Sequence, residues 1–192
     1  MSQHVAFLRA INVGGRVVKM DHLRQLFEGM GLANVRTFIA SGNVIFDSAT
    51  KSPQALEEKI SRALEKALGY KVGVFIRSVA ELAAIAGHNA YKDRELQEGS
   101  LFIVLLPAPL SASEQKIVAA MQTSVDALRV KGREIYWHAG KNFRDAEFSP
   151  AKLEKSLGKP ATFRNVTTIR KIAALVGIKA KSDKSGNRNR DK

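Results

Sequence analysis

The chain has no cysteine among its 192 residues. Disulfides, thiolate zinc sites and a cysteine nucleophile are therefore excluded. Long apolar runs are missing too. The longest, Leu101 to Leu106, has the length of a buried strand, whereas a membrane helix needs roughly 18 apolar residues. The opening segment MSQHVAFLRAINVGG is too polar for a signal peptide. These absences point to a cytoplasmic protein without a membrane partner. Histidine is sparse, and His4, His22, His88 and His138 are scattered with no pair at metal-ligand spacing. There is no phosphate-binding loop, no dinucleotide fingerprint and no Gly-x-Ser-x-Gly elbow. No metal and no cofactor are expected.

Acidic residues are also few. Asp and Glu number 18 against 31 Lys and Arg, giving a net charge of +13. The surplus is local. Residues 1–128 carry 14 basic and 12 acidic groups, and residues 129–192 carry 17 and 6. The last 14 residues, KAKSDKSGNRNRDK, have no apolar periodicity and read as a disordered basic tail over 179–192. A basic segment of this kind suits an anionic partner, nucleic acid first.

The apolar pattern gives an α+β protein. Residues 4–13 read as a central strand, apolar on both faces. A helix over 20–30 follows, with Leu23, Leu26, Phe27 and Met30 on one stripe. Val35, Thr37 and Ile39 alternate as a strand, Ser41-Gly42-Asn43 turns the chain, and Val44 to Phe46 return as another. Ser52-Pro53 opens a helix that Gly69 ends. Val72 to Arg77 complete a ferredoxin-like βαββαβ unit over residues 3–87. Ser78-x-x-Glu81 is a capping box for a short helix. Residues 88–99 are polar and mark the boundary. A second, related βαββαα half spans 100–177. It holds the strand 101–106, a helix capped by Ser111-x-x-Glu114, a hairpin turning at Gly132, a helix from Ser149-Pro150 to Leu157, and a last helix capped by Thr167 or Thr168.

Four segments could carry chemistry. The first is Arg9-Ala10-Ile11-Asn12-Val13-Gly14-Gly15-Arg16, with Lys19 just before a helix. Glycine lets backbone N–H groups approach an oxyanion, and the helix end adds positive potential. The plainer reading is a turn made by Gly14 and Gly15. The second is Ser41-Gly42-Asn43, a hairpin turn whose hydroxyl and amide remain available. The third is Arg164-Asn165 with Thr167, where a phosphate or carboxylate could meet Arg164 at a helix start; helix capping is the equal alternative. The fourth is the strand Arg133 to His138, whose aromatics either stack on bases or, more ordinarily, fill a core.

Three of these segments together resemble a known family. LRAINVGGR at 8–16, RTFIASGNVIF at 36–46 and ATFRNVTTIRKI at 161–172 are similar to the domain-of-unknown-function family 1697, in order and spacing. The resemblance covers residues 3–177. It implies a compact α+β protein of ferredoxin-like character with no established activity. It also implies that Arg9, Asn12, Gly14, Gly15, Ser41, Gly42, Asn43, Arg164 and Asn165 matter together. The family pattern has Gly at Ala10, Thr at Phe163 and often Trp at Val166, so this chain departs from it at three places.

The expected function is therefore binding of an anionic ligand. Nucleic acid would be held by Arg9, Arg16, Lys19, Arg164, Arg170 and Lys171. The alternative is a small phosphorylated or carboxylated metabolite, bound or converted at a site lined by Gly, Asn and Arg. A third possibility is a protein-interaction domain. Convergence of the motifs on one pocket would favour the metabolite.

Overall fold

Alternating strands and well-capped helices put most elements where the pattern indicates. A computed structural model of the chain describes residues 1–12, 14–15, 17–39, 42–91, 99–140 and 147–178. The first half runs β1 (Ser2–Arg9), α1 (Met20–Gly29), β2 (Ala33–Phe38), β3 (Asn43–Ser48), α2 (Pro53–Leu68), β4 (Gly73–Ser78) and α3 (Val79–Ala86). The second runs β5 (Ser100–Leu105), α4 (Ala112–Ala119), β6 (Asp126–Lys131), β7 (Glu134–Ala139), α5 (Pro150–Leu157), β8 (Thr162–Asn165) and α6 (Val166–Leu175). The Ser52 and Ser149 hydroxyls cap α2 and α5, each with proline in the first turn. Both serine-glutamate capping boxes are complete, at Ser78 with Glu81 and at Ser111 with Glu114. Gly69 ends α2 with a left-handed φ of 78°.

Among the described residues two antiparallel sheets result, in the orders β2-β3-β1-β4 and β6-β7-β5-β8. Each is the split βαββαβ order of a ferredoxin-like unit. Three expectations need correction. The second half contains a strand, β8, that the pattern does not suggest, so it is βαββαβα rather than βαββαα. The last helix is capped by Asn165, whose Oδ1 accepts the Thr167 N–H at 2.8 Å, and not by Thr167 or Thr168. β1 stops at Arg9 because Ala10 turns left-handed, with φ of 60°. The basic tail, Arg16 and Ser41 lie outside the described residues. Among the described residues no helix is long and apolar enough to cross a membrane.

The described residues form three cores. Helices α1 and α2 cover the outer face of the first sheet, packing Leu23, Phe27, Leu56 and Ile60 against Ala6, Leu8, Val44 and Phe46. Helices α4 and α5 cover the second sheet, burying Val118 and Leu153 against Val104, Ile135 and Trp137. The inner faces share a central core in which Phe7, Ile45 and Phe75 meet Leu82, Ile103, Tyr136 and Ile169. The beginning of the polar boundary joins this core. Tyr91 is buried, and its hydroxyl sits 2.8 Å from the carbonyls of both Ala127 and Tyr136.

Strand register shows that the halves are equivalent residue by residue. Phe7 pairs with Asn43 and Phe75, and Leu105 pairs with Glu134 and Thr162. Arg77-Ser78-Val79 thereby matches Arg164-Asn165-Val166, and the starts of α2 and α5 share Ser-Pro-x-x-Leu-Glu. The matched arginines clasp the two halves. The Arg77 Nε donates to Glu134 Oε1 at 2.7 Å, and its Nη atoms reach the Ile76 and Leu106 carbonyls at 2.9 and 3.0 Å. The Arg164 Nε donates to Asn43 Oδ1 at 2.7 Å, and its Nη atoms reach the Phe163 and Leu8 carbonyls, both at 2.8 Å. Each arginine crosses from its own half to the strand end of the other.

Arg77 is fully buried, and Glu134 is buried beside it. Removing one partner of a buried ion pair strands the other charge, at about 3–5 kcal/mol. Arg77→Met should therefore lower stability by about that amount in denaturant unfolding, and adding Glu134→Met should recover part of it.

Candidate functional site

The three sequence motifs meet where β1 ends. Asn12 closes the loop after β1, its Oδ1 accepting the Val18 N–H at 2.6 Å. The Tyr70 hydroxyl holds the same loop by donating to the Ile11 carbonyl at 3.2 Å. Gly42 brings the β2–β3 turn onto this segment. Its φ is 75°, a Cβ there would lie 2.6 Å from the Ile11 Cγ2, and its carbonyl accepts the Leu8 N–H at 2.7 Å. Asn43 is fully buried, donates Nδ2 to the Phe38 carbonyl at 3.0 Å and receives Arg164. Arg164 thus touches both the first motif, through Leu8, and the second, through Asn43. Burial pushes its guanidinium pKa down to about 10, so it stays charged at neutral pH.

Beside this junction is a cleft of about 830 Å³. Its walls are the Leu8–Asn12 segment, Ile39, the Ser149–Ala151 start of α5, Glu154, and the Ala161–Arg164 stretch. Arg9 stands on its rim, 45% exposed, with Nη2 2.6 Å from Glu154 Oε2. The other Glu154 oxygen accepts the Ala161 N–H at 2.6 Å. The cleft is otherwise mainly apolar, and Ile39 leaves 52% of its surface open. Two of its residues have left-handed backbones, Ala10 at φ 60° and Ile39 at φ 49°. For a β-branched side chain that conformation is strained.

The structure divides the expected site residues. Arg9, Asn12 and Arg164 line the cleft, and Gly42 and Asn43 support it from behind. Gly14 and Gly15 lie on the exposed outer part of the loop, where an added Cβ would meet nothing within 4 Å. Lys19 is exposed at the start of α1 and makes no side-chain cap. Asn165 and Thr167 form the α6 cap outside the cleft walls. Glu154, Ile39 and the start of α5 belong to the cleft without being anticipated. The repeated Ser-Pro-x-x-Leu-Glu was the one signal that could have found Glu154.

Part of the basic last third is engaged within the fold rather than free on the surface. Residues 129–178 hold 11 Lys and Arg. Of these, Arg129 turns onto the Ala90 carbonyl and lies 4.4 Å over the Tyr91 ring. Arg133 donates to the Ile76 carbonyl at 2.8 Å and to Glu81 at 2.7 Å. Arg164 is in the clasp. Tyr136 and Trp137 are buried, which removes them as stacking platforms; the Trp137 Nε1 donates to Asp126 at 2.7 Å. Among the described residues no group of three or more His, Cys, Asp or Glu side chains could hold a metal ion.

Fold and cleft together define a class: two ferredoxin-like halves, duplicated and clasped, with an apolar cleft at the end of the first strand. The model of the family described as protein of unknown function DUF1697 matches residues 1–136, and the chain belongs to that family. The Arg164-Asn165 segment lies beyond the matched residues. The structure is similar to that of the conserved bacterial protein SP0830 from Streptococcus pneumoniae, with a TM-score of 0.70 and 23% identity. That likeness spans 92% of this chain and 98% of the other, and it establishes the fold. No curated protein matches the sequence.

Ala10 offers a direct check of the geometry. A left-handed backbone costs an L-residue roughly 1–2 kcal/mol, against about 0.5–1 kcal/mol for the extra freedom glycine loses on folding. Ala10→Gly should therefore stabilise the protein by about 0.5–1 kcal/mol, read as a higher denaturation midpoint at an unchanged slope.

Proposed function

We propose that this protein binds a small molecule with a carboxylate or phosphate group and an apolar body in the cleft beside Arg9. The observation that carries this reading is the meeting of the 8–16 and 161–172 motifs in one concave site. A mainly apolar wall with a few placed polar groups is the usual make-up of a ligand pocket. Arg9 is the exposed cation that would hold the anion, bidentate and charge-assisted. Left-handed backbone at Ala10 and at the β-branched Ile39 supports the same reading, because such strain clusters where ligands bind.

A second reading is nucleic-acid binding in the cytoplasm. It draws on the 17 basic against 6 acidic groups of residues 129–192 and on exposed Arg170 and Lys171. It is the weaker one, since Arg133 and Arg164 of that segment are turned inward. It calls for affinity that falls steeply with salt and that Arg170→Ala with Lys171→Ala reduces.

A thermal-shift screen against nucleotides and aliphatic or aromatic carboxylates tests the first reading. A ligand at a hundred times its dissociation constant adds about 2.7 kcal/mol, or roughly 5–10 °C for a chain of this size. Arg9→Ala, or Ala151→Trp to fill the cleft, should abolish the shift. A flat screen, or shifts that both variants leave intact, would remove the cleft from consideration.

A further inference from the structure

The duplication supplies an internal comparison for the cleft. Stepping along the matched strands makes Pro107 the equivalent of Arg9, Ile76 that of Phe163, and Glu57 that of Glu154. The equivalent place in the other half is filled by a side chain of the protein itself. Arg133 lies there, 11% exposed. Its Nη2 donates to the Ile76 carbonyl at 2.8 Å, and its Nη1 is 3.5 Å from the Pro107 carbonyl and 3.8 Å from Glu57 Oε1. Glu81 completes this guanidinium site at 2.7 Å; its equivalent on α6 is Thr168, so the cleft keeps one of the two carboxylates.

The two glutamates are built alike. Each sits sixth in a Ser-Pro-x-x-Leu-Glu helix start, and each accepts a backbone N–H from the neighbouring strand region, Ile76 to Glu57 and Ala161 to Glu154. Each also faces an arginine. The difference is in what those arginines do. Arg133 is enclosed and fixed by two backbone carbonyls, whereas Arg9 comes from the rim and is 45% exposed. An ion pair open to water on one side is weak and exchanges readily.

We propose that the cleft takes a zwitterionic ligand, with an amine or guanidinium at one end and a carboxylate at the other. This rests on the reading of the cleft as a ligand site. The cationic end replaces Arg9 on Glu154, as Arg133 does beside Glu57, and the released Arg9 pairs with the carboxylate. One exposed ion pair is exchanged for two that the cleft walls partly shield, and the ligand's stem covers the apolar surface between them.

Three probes of similar length separate the parts: 4-guanidinobutyrate carries both charges, butylguanidine only the cation and hexanoate only the anion. Calorimetric titration of the full chain should give 4-guanidinobutyrate at least about tenfold tighter binding than either single-charge probe. Glu154→Gln, which keeps an oxygen for the Ala161 N–H, should reduce its affinity to that of hexanoate. Hexanoate binding as tightly as 4-guanidinobutyrate overturns the zwitterion while leaving an anion site in place. Affinity for 4-guanidinobutyrate unchanged in Glu154→Gln overturns it as well. If that variant does not fold, the three-probe comparison on the unaltered chain decides. No binding by any probe, with a flat nucleotide and carboxylate screen, overturns the cleft reading and the zwitterion together.

Discussion

Two arginines hold the architecture together. Arg77 and Arg164 occupy equivalent positions at the ends of β4 and β8, and each reaches into the other half. A guanidinium suits this place because its planar fork can serve an acceptor side chain and two carbonyls at once. The carbonyls of Leu8, near the end of β1, and Leu106, just past β5, each accept from the arginine of the other half. The inner sheet faces are apolar and alone do not fix how they meet; the clasp does so, with Arg133 on Ile76 and Glu81 and Arg9 on Glu154 as further polar ties between the halves. The central core formed by Phe7, Phe75, Leu82, Ile103 and Ile169 depends on that registration.

The duplication also explains why one equivalent site is open and the other closed. At the β6–β7 turn, Arg133 folds inward over Glu57 and Glu81 and fills its surroundings. At the β2–β3 turn, Gly42 carries no side chain and is pressed against Leu8 and Ile11. The space that Arg133 takes in one half is therefore left as a cleft in the other. Arg164, as part of the clasp, forms its back wall, so the residue that orders the halves also shapes the candidate site. A substitution there would change stability and binding together, which makes Arg9 and Glu154 the cleaner probes.

Much of the fold was legible because its signals are local. Ser-Pro starts, capping boxes, glycine stops and alternating apolar residues fixed the first half and most of the second. β8 escaped because Thr162-Phe163-Arg164-Asn165 is four residues long, polar at both ends and paired only through distant Phe102 to Leu105. The cap of α6 is hidden for the same reason: without a strand before it, Asn165 reads as loop rather than as the residue that starts the helix. Arg77 gave no signal, since a lone arginine in a strand ordinarily faces water; only its match to Arg164 marks it. The net charge of +13 was the loudest feature and the least informative. Arg133 and Arg164 show why, since they serve internal carbonyls and polar side chains, and composition cannot tell such arginines from surface ones.

The central claim is that the clasp makes the duplicated halves one cooperative unit. The single tryptophan gives a direct test, because Trp137 sits in the outer core of the second half, against Phe102, Phe148 and Phe163. Equilibrium unfolding in urea can be followed by Trp137 fluorescence, which reports on that half alone, and by far-ultraviolet circular dichroism, which reports on both. Superimposable transitions with one midpoint are the predicted result. A fluorescence transition separated from the dichroism transition would mean that the halves unfold independently, and it would contradict the account.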